Sequence, residues 1–117
     1  MNCEVCLTKD MQETVCGKCA VVGCAEGIAK IVNDPSNLNS IGEGDILITY
    51  MTTPDSVPAM IKSKAVVTDR GGVLCHAAII CREINRPCIV AAKGCMDAIR
   101  DGDRILVCAT KGKVFKK

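Results

Sequence analysis

Residues 68 to 83, TDRGGVLCHAAIICRE, hold the only histidine of the chain, His76. Gly71 and Gly72 stand shortly before it, Cys75 directly precedes it, and small and branched apolar residues follow as far as Arg82 and Glu83. The pattern predicts a glycine loop running into a helix, with His76 in its first turn. A helix start presents free backbone N–H groups and the positive end of the helix dipole, a combination that suits an anion such as phosphate. Glycine lets the backbone approach that anion closely. A neutral imidazole is a competent nucleophile, so a histidine there could take a phosphoryl group whose charge the helix start would stabilise. The same residue types also fit a polar histidine behind an ordinary glycine turn, and residue types alone leave both readings open.

Cysteine is the other reactive type, with ten in 117 residues. Cys3, Cys6, Cys16 and Cys19 form two CxxC pairs, CEVC and CGKC, with Leu7 to Val15 between them. Two such pairs can deliver four thiolates to a structural, tetrahedral zinc. A metal-free reading stands beside it because cysteines are plentiful, and a CxxC redox pair is a third. Cys24, Cys75, Cys81, Cys88, Cys95 and Cys108 are scattered, mostly among Val, Ile and Ala. They read as small buried hydrophobes in a reducing compartment.

The elements that must position these groups follow from composition and rhythm. A length of 117 residues suits one domain with one modest core. Only 2% of residues are aromatic, so Val, Ile, Leu, Ala, Met and Cys must fill that core. A net charge of +2 gives no reason to expect nucleic acid or an anionic membrane as partner. No apolar run is long enough to span a bilayer. MNCEVCLTKD lacks the cationic-then-apolar order of a secretory signal, so a cytoplasmic protein is the expectation. CAVVGCAEGIAKIV, residues 19 to 32, predicts two short strands, with breaks or bends at Gly23 and Gly27. DILITY (45–50) predicts a strand. Thr53, Pro54 and Asp55 predict a helix start. AVVT (65–68) predicts a buried strand, HAAIICREIN a helix with Ile80 and Ile84 on one stripe, and RPCIVAA another strand. MDAIRDGD predicts a short helix stopping at Gly102, and RILVCA and KVFKK a closing hairpin. Alternating strands and helices argue for βαβ units and a parallel sheet. The glycine-broken start and the terminal hairpin argue for a second, antiparallel sheet.

TDRGGVLCHAAIICREINRPCIVAA resembles the signature of the phosphohistidine swivelling domain of phosphoenolpyruvate-utilising enzymes, the phosphoenolpyruvate synthase and pyruvate phosphate dikinase type. The similarity extends through the opening strands in AVVGCAEGIAKIV, the centre in GEGDILITYMTTPDSVPAMIKSKAVVTDRGG and the close in DGDRILVCATKGKVF, covering residues 17 to 116. The resemblance implies a three-layer β/β/α fold of the α/β class, with one parallel and one antiparallel sheet. On this reading residues 1–19 are a Cys-rich segment, a candidate zinc knuckle, and residues 20–117 the swivelling domain.

It also implies a role. His76 stands where the family's histidine is transiently phosphorylated, Gly71 and Gly72 at the loop glycines, and Cys75 at the small residue before the histidine. The phosphoryl group would pass between a nucleotide-binding, ATP-grasp-like domain and a phosphoenolpyruvate-binding barrel, with magnesium and nucleotide held on those partners and no organic cofactor on this chain. The family usually has Thr two residues before the histidine. Leu74 stands there instead and supplies no hydroxyl to the phosphoryl group. A reading of another class is a non-catalytic binding or assembly module on the same fold, with a zinc knuckle as its docking surface.

If Cys3, Cys6, Cys16 and Cys19 form a closed site, reduced protein prepared without chelator should hold about one zinc per chain, the stoichiometry of a four-thiolate centre. Elemental analysis that finds no zinc would exclude the knuckle.

Overall fold

The computed structural model describes residues 12–32, 38, 40–72 and 74–116. In chain order the strands and helices are β1 (Gln12–Cys16), β2 (Lys18–Val21), β3 (Cys24–Val32), β4 (Asp45–Thr49), α1 (Val57–Lys62), β5 (Ala65–Thr68), α2 (His76–Ile84), β6 (Cys88–Val90), α3 (Cys95–Ala98), β7 (Arg104–Cys108) and β8 (Lys113–Lys116). Among the described residues, no helix is long and apolar enough to cross a membrane.

All eight strands belong to one sheet, in the order β1-β8-β7-β3-β4-β5-β6-β2. The expected parallel and antiparallel sheets are thus two parts of a single ladder. β3 joins them. Its first half, Cys24 to Ile28, pairs antiparallel with β7, and its second half, Ile28 to Val32, pairs parallel with β4. β4, β5 and β6 continue the parallel part, whereas β8 and β1 continue the antiparallel part.

The two parts face each other. Side chains alternate across a strand, and in the parallel part alternate residues enter different core layers. Ile46 and Ile48 of β4, Ala65 and Val67 of β5 and Ile89 of β6 pack with Ile105, Val107, Val114 and Val15 of the antiparallel part. Leu47, Val66, Cys88 and Val90 point the other way, onto Met60 of α1 and Ala77 and Cys81 of α2. Ile80 and Ile84 pack at the margin of that layer. The order is therefore β/β/α, and the parallel strands are buried on both faces, which is why they read as unbroken apolar runs.

Three details depart from the sequence expectation. β3 runs straight through Gly27 without a break. The glycine is required because a Cβ there would run into the backbone carbonyl of Gly44. The segment after Thr53 begins as a 3-10 turn, Pro54–Ser56, and becomes α-helical only at Val57. α3 ends at Ala98 instead of continuing to Gly102, because Ile99 turns extended and is buried at 1% exposure. Asn85, in the left-handed conformation, closes α2. The Arg86 guanidinium then donates to the carbonyls of Ser63, Ile84 and Ile61, securing the ends of both long helices.

β1 and β2 lie at opposite margins of the ladder but are separated in sequence by Gly17 alone. That residue is where the chain crosses from one β layer to the other. Its N–H donates to the Gly112 carbonyl at 2.8 Å. A Cβ on it would lie 2.6 Å from the Val90 carbonyl oxygen and 2.9 Å from the Ala92 Cα, both backbone atoms. Gly17→Ala should therefore lower the unfolding free energy by about 2–3 kcal/mol, the upper range for forced overpacking. Urea denaturation should show a lower midpoint at unchanged slope, and an unshifted midpoint would refute the close approach.

Candidate functional site

The carboxyl ends of adjacent parallel strands are where α/β sheets hold ligands. Here β4 ends at Thr49 and β5 at Thr68, and the chain beyond each remains paired with the other. The N–H of Asp69 donates to Thr49, and that of Arg70 to Tyr50, both at 3.0 Å. The loop after β6 is tied in as well. The Ala92 N–H donates to the Thr68 carbonyl at 2.9 Å, and the Gly94 N–H to Asp69 Oδ2 at 2.8 Å. The buried Thr68 hydroxyl donates to the Arg70 carbonyl at 2.7 Å. Three loops are thereby locked into one platform.

On that platform the glycine loop turns into α2. Gly71 has φ +116°, a conformation that L side chains rarely adopt, and a Cβ there would lie 2.8 Å from Cys75 Sγ. The Gly72 carbonyl accepts the Cys75 N–H at 3.0 Å. Cys75 is the extended N-cap residue, and its carbonyl accepts the Ile79 N–H at 3.0 Å. His76 is the first residue of α2, so the backbone N–H groups of that first turn have no partner within the helix.

The His76 ring is held on one side. Its Nδ1 lies 2.7 Å from the hydroxyl of Thr52, which is 7% exposed. Nε2 has no hydrogen-bond partner among the described residues. A cavity of about 170 Å³ opens beside the ring, lined by Met51, Thr52, Thr68, Arg70, Cys75 and His76 among others. At about 30 Å³ per water molecule, it has room for a group of phosphoryl size but not for a nucleotide. The Arg70 guanidinium sits 5.9 Å from the centre of the Tyr50 ring, within cation–π range. It brings a fixed positive charge to the cavity wall, and the first turn of α2 contains no acidic residue to oppose it. Leu74 is 81% exposed.

The structure brings His76, Gly71, Gly72 and Cys75 together as one loop and helix start. Thr52 and Arg70 were not among the residues singled out from sequence. Thr52 lies three positions past β4 and Arg70 two past β5, so the carboxyl-end rule could have marked both once the strands were placed. Of the four paired cysteines, Cys16 is exposed at the end of β1, while Cys19 is partly buried in β2 against the inter-sheet core. Cys3 and Cys6 lie outside the described residues. Among the described residues no three His, Cys, Asp or Glu side chains converge as a metal site.

These elements define an α/β domain of β/β/α order, with His76 at a helix start beside a small cavity. Residues 41–112 match the family model of the PEP-utilising enzyme, mobile domain. The chain is 44% identical over 94 residues to a probable phosphoenolpyruvate synthase of Archaeoglobus fulgidus, which covers 80% of this chain and 12% of the relative. It is 43% identical over 94 residues to the phosphoenolpyruvate synthase of Pyrococcus furiosus, with the same shares. Among solved structures, the solution structure of Enzyme I (nEIt) superposes with a TM-score of 0.60 at 26% identity, over 69% of this chain and 34% of that one. The chain belongs to the mobile-domain family of phosphoenolpyruvate-utilising enzymes. It spans about an eighth of the length of these curated relatives.

Thr52→Val preserves side-chain shape but removes the partner of Nδ1. The imidazole ¹⁵N shifts of His76 should then report a changed tautomer balance. Spectra identical to wild type would show that the hydroxyl does not set the ring.

Proposed function

We propose that this chain is a phosphoryl carrier in which His76 is transiently phosphorylated on Nε2. The observation that carries this reading is the asymmetry of the ring: Nδ1 is engaged by buried Thr52, and Nε2, beside the cavity, has no partner among the described residues. With the ring proton on Nδ1 and donated to Thr52, Nε2 keeps its lone pair and is the nucleophile. It attacks the phosphorus of a donor, the P–N bond forms, and the bond from phosphorus to the donor's oxygen breaks with its electrons leaving on that oxygen. The Nδ1–H bond to Thr52 supports the charge that develops on the imidazole. The N–H groups of the first turn of α2 and the Arg70 guanidinium receive the phosphoryl oxygens. The reverse step delivers the group to an acceptor.

Donor and acceptor lie on other parts of the enzyme on this reading. A nucleotide site of ATP-grasp type and a phosphoenolpyruvate-binding barrel, with their magnesium, are the proposed partners. The size of the cavity supports this, since it admits the transferred group but not the molecules that exchange it. The chain alone should neither hydrolyse ATP nor turn over phosphoenolpyruvate, and turnover by the pure monomeric chain would overturn the carrier reading.

Incubated with its cognate partners and substrate, the wild-type chain should acquire an acid-labile, alkali-stable label, as a phosphohistidine does. His76→Ala should abolish labelling while leaving the circular dichroism spectrum unchanged, because the residue sits at a helix start and contributes little packing. Leu74→Thr restores a hydroxyl at an exposed position and should slow loss of the group a few-fold, if the new hydrogen bond contributes about 1 kcal/mol. An unlabelled wild type, or a labelled His76→Ala variant, would put the non-catalytic assembly module in its place.

A further inference from the structure

Cys24 opens β3 and Cys108 closes β7, and the two stand directly opposite each other in the antiparallel ladder. Their sulfurs are 3.4 Å apart. On the neighbouring rung the Ala109 N–H donates to the Gly23 carbonyl at 2.9 Å. Antiparallel rungs alternate between hydrogen-bonded and non-hydrogen-bonded pairs, so the Cys24–Cys108 rung is of the second kind. There Cα atoms approach to about 4.5 Å and side chains lie closest. That separation falls within the roughly 4.4–6.8 Å over which a disulfide closes without displacing the backbone.

Access differs between the two thiols. Cys108 is completely buried, in a small cluster with Leu106 and Phe115. Cys24 is partly exposed and forms part of the wall of an open groove of about 940 Å³, which also carries Lys64 and Arg104. Glu26 and Glu43 line the groove as well, so its walls are of mixed charge. A small reagent can reach Cys24 through it, while Cys108 waits behind. A second pair of neighbouring thiols provides a contrast. Cys81 hydrogen-bonds Cys88 across α2 and β6, and that bond together with burial pushes the Cys88 thiol far above its ordinary range. Both are fully buried, so the second pair has no exposed member to start an exchange.

We propose that Cys24 and Cys108 form a redox modification site, a dithiol that closes to a disulfide by exchange with a low-molecular-weight disulfide. The Cys24 thiolate attacks one sulfur of the reagent, whose S–S bond breaks and releases one thiol carrying the proton that Cys24 gave up. The Cys108 thiol then loses its proton and attacks Cys24 Sγ, displacing the second half of the reagent as a thiol. Two protein thiols are oxidised, and one small disulfide is reduced to two thiols. The bond would tie β3 to β7 at the start of β3. His76 lies beyond the opposite ends of the strands that run parallel to β3, so the pair is independent of the histidine's role.

The test is to incubate the reduced, folded chain with oxidised glutathione, block residual thiols and map the linked peptides by mass spectrometry. The expected product is a predominant Cys24–Cys108 cross-link, two hydrogens lighter than the dithiol and reversed by dithiothreitol. Cys24→Ser changes a partly exposed position, and its retained fold is checked by circular dichroism. The folded variant should show no cross-link to Cys108 under the same conditions. The proposal is overturned by a wild type that stops at a glutathione adduct on Cys24, that links mainly another pair such as Cys81 and Cys88, or that links Cys24 to Cys108 only after denaturation. None of these outcomes depends on whether His76 accepts a phosphoryl group.

Discussion

β3 changes partner along its nine residues, and Ile28 is the pivot, opposite Arg104 on one side and Asp45 on the other. Antiparallel and parallel ladders space their hydrogen bonds differently, so one strand can serve both only if backbone comes close to backbone where they meet. Gly27 provides this, lying so near the Gly44 carbonyl that no side chain fits, and Ala29, just past the pivot, is small and fully buried. From that junction the sheet divides into two layers that close over a shared aliphatic core. Gly17 closes the other side of the fold, where the chain passes from β1 to β2 with its own backbone pressed against Val90 and Ala92. The near absence of aromatic residues fits this construction, because layers joined by direct backbone approach leave space for Ile and Val but little for rings.

The same junction fixes where chemistry can occur. Because β4, β5 and β6 run parallel to the second half of β3, their carboxyl ends come together, and the loops that leave them bond to one another before they bond to anything else. Thr68 and Asp69 anchor the loops after β5 and β6, so Arg70 and Gly71 emerge from a fixed base. The site is a loop and a helix start, the kinds of structure most prone to move. Yet the base from which it rises is tied to buried strand ends at Thr49 and Thr68. The His76 ring thus combines a supported Nδ1 with an open side facing the cavity.

Much of this was legible in the sequence because the parallel strands are buried on both faces and announce themselves as apolar runs between turn residues. The glycine pair, the helix start and His76 could be placed from those runs, and the family resemblance extended the reading to the three layers. Other features were not legible, for identifiable reasons. Gly27 looked like an interruption, since a glycine that breaks a strand and one that admits another backbone have the same local signature. The end of α3 was set by burial of Ile99, a tertiary effect that outweighed the helical pattern. Thr52 was hidden by its neighbour. In Met51-Thr52-Thr53-Pro54 the second threonine begins the following turn, so nothing local reveals that the first faces a histidine 24 residues away. Arg70 lies between the AVVT strand and the glycine pair, and only its position past β5 makes it a wall of the cavity.

The cysteines show why residue type alone did not sort them. The six scattered ones read uniformly as small hydrophobes, and Cys95 behaves that way, with burial pushing its thiol up to about 12. Cys75 has a different task, because it caps α2 and its sulfur fills the space that any side chain on Gly71 would need. Cys24 and Cys108 are distinguished by register, which sets two sulfurs opposite each other on a rung whose geometry favours contact. Register is a property of the sheet and not of either residue, and a shift of one position would turn both thiols to opposite faces. The same logic applies at the histidine: its neighbours are polar groups delivered by strand ends, and only the order β3-β4-β5-β6 brings Thr52 and His76 within a hydrogen bond. The Cys24–Cys108 pair of the antiparallel part and the Thr52–His76 pair of the parallel part are thus both brought together by strand order and register, the information that β3 imposes by pairing in two directions.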